Sequence, residues 1–235
     1  LIDMKMMGAR AVWSCNVVAL VLGWTLFSAF VFLPQFAQVD SSHGYGFSAS
    51  VTKSGLLVLP AAAAMVVMGL CSPWLARKIG ARQVVFVGCL TMSSAMALVT
   101  FAHDTPAHFY VANGILGVGQ GMVISCMAGL VVAAVPHEQT GVASGMNANI
   151  RNIGGSIGAA VSSMIITAHV GPDGVPVESG FTWAFGVMSA TMALVSLAAL
   201  AIPSVSQRRL VEKLAPDHGS RGGDAGVRSR ARAGR

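Results

Sequence analysis

Residues 54–102 read SGLLVLPAAAAMVVMGLCSPWLARKIGARQVVFVGCLTMSSAMALVTFA, and this stretch decides the fold. Two apolar runs, 54–75 and 83–102, flank a short connection that carries Arg77, Lys78 and Arg82. Each run is about 20 residues, enough for a helix to cross a hydrocarbon core about 30 Å thick. Basic connections stay on the cytoplasmic side of a membrane because translocating them is costly. The stretch therefore predicts a pair of membrane helices joined at the inner surface.

Four more runs of the same kind lie outward from it, at roughly 12–38, 108–135, 141–168 and 181–203. Lysine and arginine sort to one side of all six. Lys5 and Arg10 precede the first run, and eight cations from Arg208 to Arg235 follow the last. The remaining connections hold Asp40, Asp104, Asp173 and Glu178, with Lys53 nearby. Thirteen of the fifteen basic residues then fall on one side, the exceptions being Lys53 and Arg151. The expected product is an all-α, multi-pass protein of the cytoplasmic membrane with both ends of this chain inside.

Composition narrows the function. Charged residues make up 10% of the chain, against about 25% in soluble domains, and mean hydropathy is +0.68, so lipid is the main solvent. The net charge of +6 is explained by topological markers and a basic tail. No basic surface interleaved with aromatics points to nucleic acid, which is excluded as a partner. Cys15, Cys71, Cys89 and Cys126 sit singly inside apolar runs, and the six histidines lie in connections or the tail without ligand spacing. No metal and no disulfide framework is expected. Enzyme signatures fail as well. Gly141-Val142-Ala143-Ser144-Gly145 lacks the first glycine of an intramembrane serine protease motif, no histidine stands inside a run to act as base, and no carboxylate pair or phosphate loop is present.

The chain opens on Leu1, with no charged leader and cleavage site, which predicts that it begins within a longer protein. Residues 1–11 are expected to be a cytoplasmic connection, 12–204 the six-helix domain and 205–235 a basic, disordered tail. Pro34 is expected to kink or end the first helix, because proline lacks an N–H donor. Ser54-Gly55-Leu56 is echoed by Ser144-Gly145-Met146, and the third run of each triplet is the apolar one. Because the first run leaves the cytoplasm and the fourth enters it, the two triplets would be inverted repeats, a common plan in secondary transporters.

The fifth run carries the strongest functional signal. Ser144, Asn147, Arg151, Gly154, Gly158 and Ser162 recur at three- and four-residue spacing, on one helical face. A polar and small stripe at membrane depth must face protein or water. Arg151 is the one charge well inside a run, and an intramembrane charge is a functional-site hypothesis by default. Its bland alternative is snorkelling to the cytoplasmic interface or structural pairing with helix-end carbonyls. Gly114, Gly117 and Gly121 share a face of the fourth run, and Gly154 and Gly158 form a Gly-x-x-x-Gly; close helix packing is the favoured reading of both sets. Asn113, Gln120, Asn16 and Trp24 are lesser candidates, for bonds between helices or for substrate contact.

Pro73-Trp74-Leu75-Ala76-Arg77-Lys78-Ile79-Gly80-Ala81-Arg82 resembles a degenerate form of the cytoplasmic loop motif of the major facilitator superfamily. Leu75, Lys78, Gly80 and Arg82 fit that motif, while Pro73 replaces its glycine and Arg77 its acid. Residues 32–38 with Ser54-Gly55-Leu56, and residues 141–147 through 151–158, are similar to helices in the C-terminal half of fourteen-helix drug:proton antiporters. The resemblance covers residues 1–204. It implies the last six helices of a secondary transporter that exports drugs or other small molecules by alternating access. A proton gradient would supply the energy, no cofactor would be needed, and an N-terminal half of the same polypeptide would complete the fold. The first, second, fourth and fifth helices would line the cavity while the third and sixth face lipid. Two rival classes stay open: a stand-alone six-helix protein that self-associates as a pore or transporter, and a membrane scaffold or sensor.

Overall fold

The computed structural model describes residues 10–135 and 137–200. Residues 1–9 of the expected connection and the whole expected tail lie outside them. Among the described residues the chain forms α1 (Arg10–Gln38), α2 (Val51–Leu56), α3 (Leu59–Ile79), α4 (Ala81–Phe101), α5 (Pro106–Ala134), α6 (Thr140–Thr167) and α7 (Glu178–Ala199). Two 3₁₀ turns, Ser41–His43 and His137–Gln139, complete the order. The protein is all-α and spans the membrane several times.

The second expected helix is broken in two. Leu57 and Val58 form a turn between α2 and α3, and Pro60 sits in the first turn of α3, where its missing N–H costs nothing. Pro34, by contrast, neither ends nor caps α1, which continues to Gln38. The Gln38 side-chain amide donates back to the Pro34 carbonyl at 3.2 Å. At the inner turn between α3 and α4, Gly80 adopts φ +93°, a conformation that favours glycine.

Among the described residues, five spans are long and apolar enough to cross a membrane, with α2 and α3 counted as one. The sixth, α6, is 28 residues long, and its glycines, serines, Asn147, Arg151 and Asn152 lower its hydropathy. Such a helix needs protein neighbours along its polar face.

The packing follows from an inverted repeat. Taking α2 and α3 together, the chain is two triplets, α1–α4 and α5–α7, and α1 and α5 are both 29 residues long. The first helix of each triplet packs along the second helix of the other: α1 on α6, and α5 on α3. The third helices, α4 and α7, pack on one another. That last contact is reciprocal to the atom. Ser93 Oγ donates to the Ser189 carbonyl at 2.8 Å, and Ser189 Oγ donates to the Ser93 carbonyl at 2.9 Å. Such an exchange is what a two-fold relation between the triplets requires. On their other side α4 and α7 leave an open apolar groove of about 640 Å³, lined by Phe101, Trp183, Val187 and Ala190 among others.

An aromatic core closes the end of the bundle remote from Gly80. Phe36 of α1 stacks on Phe109 of α5 at 5.1 Å and meets Phe181 of α7 edge-on at 5.4 Å. All three rings are fully buried, so three helices from both triplets share one desolvated cluster.

Candidate functional site

The α1–α6 contact is built from the stripe foreseen on the fifth run. Asn147 Nδ2 donates to Asn16 Oδ1 at 3.2 Å, and both residues are buried. Two turns further along α1, Trp24 Nε1 donates to Ser162 Oγ at 3.0 Å, and Ser162 shares a second hydroxyl bond with Ser28 at 3.1 Å. Residue numbers rise together along the two helices, so they run parallel. Asn16 Nδ2 and Thr25 Oγ1 are buried without a hydrogen-bond partner. The amide pair is therefore held by one bond rather than two. Ser28 belongs to this seam although the sequence reading did not single it out. Its spacing from Trp24 and Asn16, at helical intervals, is the signal that would have found it.

Glycine permits the close approach. A Cβ on Gly154 would stand 2.0 Å from the Leu20 carbonyl oxygen, and one on Gly158 would fall 2.1 Å from the Trp24 ring. The α3–α5 contact repeats the device. A Cβ on Gly117 would meet the Ala61 carbonyl oxygen at 2.1 Å, and one on Gly121 the Met65 carbonyl oxygen at 2.5 Å. Gly114 is less confined, since a Cβ there would stand 3.9 Å from the Pro60 Cβ, an ordinary contact. Ser125 Oγ donates to the Gly69 carbonyl at 3.1 Å along the same parallel contact. The two polar, glycine-lined seams are counterparts within the inverted repeat. In α1–α6 the glycines come mainly from the second helix of a triplet, and in α3–α5 from the first.

Arg151 lies within α6 at the point where α1 comes nearest. A Cβ on Gly23 would be only 1.9 Å from the Arg151 carbonyl oxygen. The Arg151 side chain is half-buried, and no described carboxylate pairs with it. Ser144, the first residue of the stripe, is exposed, as are Ile153 and Ile157 on the neighbouring face.

Asn113 and Gln120 come together elsewhere, in a small cavity of about 110 Å³ between α1, α3 and α5. Its other walls are Leu26, Ala29, Phe30, Val58, Ala61, Ala62, Met65 and Leu116. The Asn113 amide is spent on its own helix, donating to the Phe109 carbonyl at 2.9 Å. Asn113 and Gln120 are thus separated from the Asn16–Asn147 pair, and the structure divides the candidates between a seam and a cavity.

At the inner turn, Lys78 Nζ lies 4.0 Å above the Trp74 ring, a cation–π contact. Leu75 is half-buried, Arg77 is exposed, and Arg82 has a buried Nε without a hydrogen-bond partner. Gly80 supplies the bend that brings Arg82 back to the start of α4.

Residues 19–227 match the family model described as Major Facilitator Superfamily. The chain belongs to this superfamily. Its proteins are transporters, not enzymes. Among curated relatives, the multidrug resistance protein Stp of Mycobacterium tuberculosis is 33% identical over 124 residues, which are 52% of this chain and 23% of that protein. The cephamycin export protein CmcT of Amycolatopsis lactamdurans is 30% identical over 76% of this chain and 36% of its own length. The chain thus spans about a quarter to a third of these relatives. Among solved structures, the nucleoside transporter NupG (a D323A mutant) superposes with a TM-score of 0.70 at 14% identity, over 84% of this chain and 50% of that one. That likeness places the six-helix arrangement within the superfamily's fold.

Proposed function

We propose that this chain is the C-terminal six-helix half of a proton-coupled exporter of drugs or related small molecules, working by alternating access in the cytoplasmic membrane. The observation that carries the reading is the pair of glycine-lined parallel seams within an inverted repeat. Two tightly packed, equivalent seams lock the triplets into one six-helix body, which can rock as a unit against a second half about a central site, the motion alternating access needs. The names of the relatives, a multidrug resistance protein and a cephamycin export protein, support efflux rather than uptake. The match to half of a solved transporter supports a second half of similar size.

Large apolar side chains left exposed support a missing partner surface in the same way. Val66, Leu70 and Trp74 of α3 and Ile153 and Ile157 of α6 all lie open in the six-helix unit. Part of that surface would face lipid, and part would meet the other half across the central cavity. Asn113 and Gln120 would supply polar contacts at the cavity wall. The cytoplasmic position of both ends of this chain belongs to the same proposal and is supported by the sorting of cations.

Reconstitution tests it. Residues 1–235 purified into liposomes under an imposed proton gradient are expected to insert but not to export dye, because one cavity wall is lacking. Joined to the preceding half of the same polypeptide, the chain is expected to export. Proton-driven export by residues 1–235 alone would overturn the half-transporter reading and favour self-association.

A further inference from the structure

At the end of the bundle remote from Gly80, His103 bridges two helices. Its Nδ1 lies 3.0 Å from the Val99 carbonyl in the last turn of α4. Its Nε2 lies 2.7 Å from Glu178 Oε1, on the first residue of α7. A carbonyl oxygen accepts only, so the Val99 bond fixes a proton on Nδ1. A carboxylate facing Nε2 at 2.7 Å needs a second proton between the two atoms. The pair as built therefore holds one proton more than a neutral ring and an ionised carboxylate would.

Both helix ends favour the ionised arrangement. His103 follows the C-terminus of α4, where a positive charge is stabilised, and Glu178 opens α7, where a negative charge is. His169 is an internal comparison. It makes the same bond to a carbonyl four residues back, at 2.9 Å to Ile165, but has no carboxylate against its other nitrogen. Capping a helix end thus does not by itself call for the second proton.

We propose that His103 and Glu178 form a proton-binding site that fastens the α4–α5 corner to α7. The bound proton sits on Nε2 and is donated to Glu178. When it leaves to the medium, the ring keeps its Nδ1–H bond to Val99, and the bare Nε2 lone pair then opposes the carboxylate. The corner detaches from α7 as pH rises and reattaches as pH falls. The contact edges the aromatic core, since the Phe36 ring lies 5.8 Å from the His103 ring. Proton loss would thereby loosen the junction of α1, α4 and α7. That the site meets the external medium rests on the orientation proposed above; the proton chemistry does not.

The other ionisable groups at this end are accounted for. Tyr45 donates to the Pro176 carbonyl. Burial, and then the charge of Glu178, push its phenol above the usual range. His43 and Asp173 line an outer cavity with Glu178 but make no hydrogen bond to the pair. Asp104 neighbours His103 in sequence, and His108 has a buried Nδ1 without a partner. None of these five groups makes a side-chain hydrogen bond to His103 or Glu178.

The test uses two spin labels, at Thr105→Cys and Ser179→Cys, in the full chain freed of its native cysteines and placed in nanodiscs. Distances are read at pH about 5.5 and about 8.5. The expected result is a single short distance at the acidic pH, and loss of that population to a longer or broader one at the alkaline pH. Glu178→Gln is expected to hold the short distance at both, because an amide can accept from a charged ring and donate to a neutral one. An unchanged wild-type distribution would overturn the site, and so would a Glu178→Gln protein that opens like wild type. Nitrogen-15 NMR of the histidines checks the site without a variant: His103 is expected to carry N–H on both nitrogens at the acidic pH and on Nδ1 alone at the alkaline pH. A neutral ring protonated on Nε2 would contradict it. In sealed vesicles of known protein orientation, a response to the pH on the Gly80 side alone would overturn the proposed sidedness and leave the proton site standing.

Discussion

Gly154→Ala is expected to lower the stability of the six-helix unit sharply. The added methyl carbon would stand 2.0 Å from the Leu20 carbonyl oxygen, and that neighbour is backbone, which cannot rotate away. Overpacking a well-packed contact typically costs about 1–3 kcal/mol. Here the two helices must separate along their length, so the upper end of that range is expected. Gly117→Ala is the counterpart in the other seam, 2.1 Å from the Ala61 carbonyl oxygen, and the same loss is expected. Gly129 on α5 is the control, with nothing within 4 Å of the position its Cβ would take. Denaturation in mild detergent should show lower midpoints for Gly154→Ala and Gly117→Ala and none for Gly129→Ala. A Gly154→Ala protein as stable as wild type would mean that α1 and α6 do not pack as described.

In the intact transporter, Arg151→Ala is expected to cut export strongly while membrane abundance stays near normal. Arg151 is half-buried in the polar helix, close to the nearest approach of α1, and no described carboxylate pairs with it. A charge at depth costs at least about 2.5–3.5 kcal/mol on insertion scales, so a compensating group is expected beyond the six helices. Substrate or the other half would provide it. Losing a charge-assisted bond worth roughly 1.5–3 kcal/mol would slow transport about ten- to a hundredfold. Arg151→Lys separates two roles, since lysine keeps the charge but loses the planar fork. Retained export with lysine would indicate charge, and loss would indicate bidentate geometry. Wild-type export by Arg151→Ala across the pH range would leave snorkelling as the account of this residue.

The spans were legible in the sequence because the bilayer makes every exposed backbone polar group costly, which forces long apolar helices. The helix ends fall within a few residues of the apolar runs, and the seam stripe of Asn147, Gly154, Gly158 and Ser162 was visible from spacing alone. The break at Leu57–Val58 was not. Its turn sits inside a continuous apolar run, where hydropathy carries no signal and Pro60 marks a helix start as well as it marks a kink. The partners were also hidden. Spacing groups the residues of one helix, but nothing in it says that Ser93 would meet Ser189, or that His103 in one connection would meet Glu178 after another. Those pairings arise from the exchange of helices between triplets, and long-range contacts of this kind leave no local periodicity. Of the two readings of Pro34, a kink or an end, the end is set aside, since α1 runs on to Gln38. The backbone bond that Pro34 cannot make is the one to the Phe30 carbonyl four residues back, a loss that a packed helix tolerates.

The central claim is a six-crossing unit whose α3–α4 turn and α6–α7 loop lie on opposite sides of the membrane. Single cysteines at Ala81 and at Asp173, in a background without native cysteines, test it with an impermeant thiol reagent on intact cells. Asp173 is preferred to Gly174, whose φ of +73° would strain any other residue. The account predicts that Asp173→Cys labels from outside and that Ala81→Cys labels only after the membrane is opened. Labelling of both positions from the same side would contradict it.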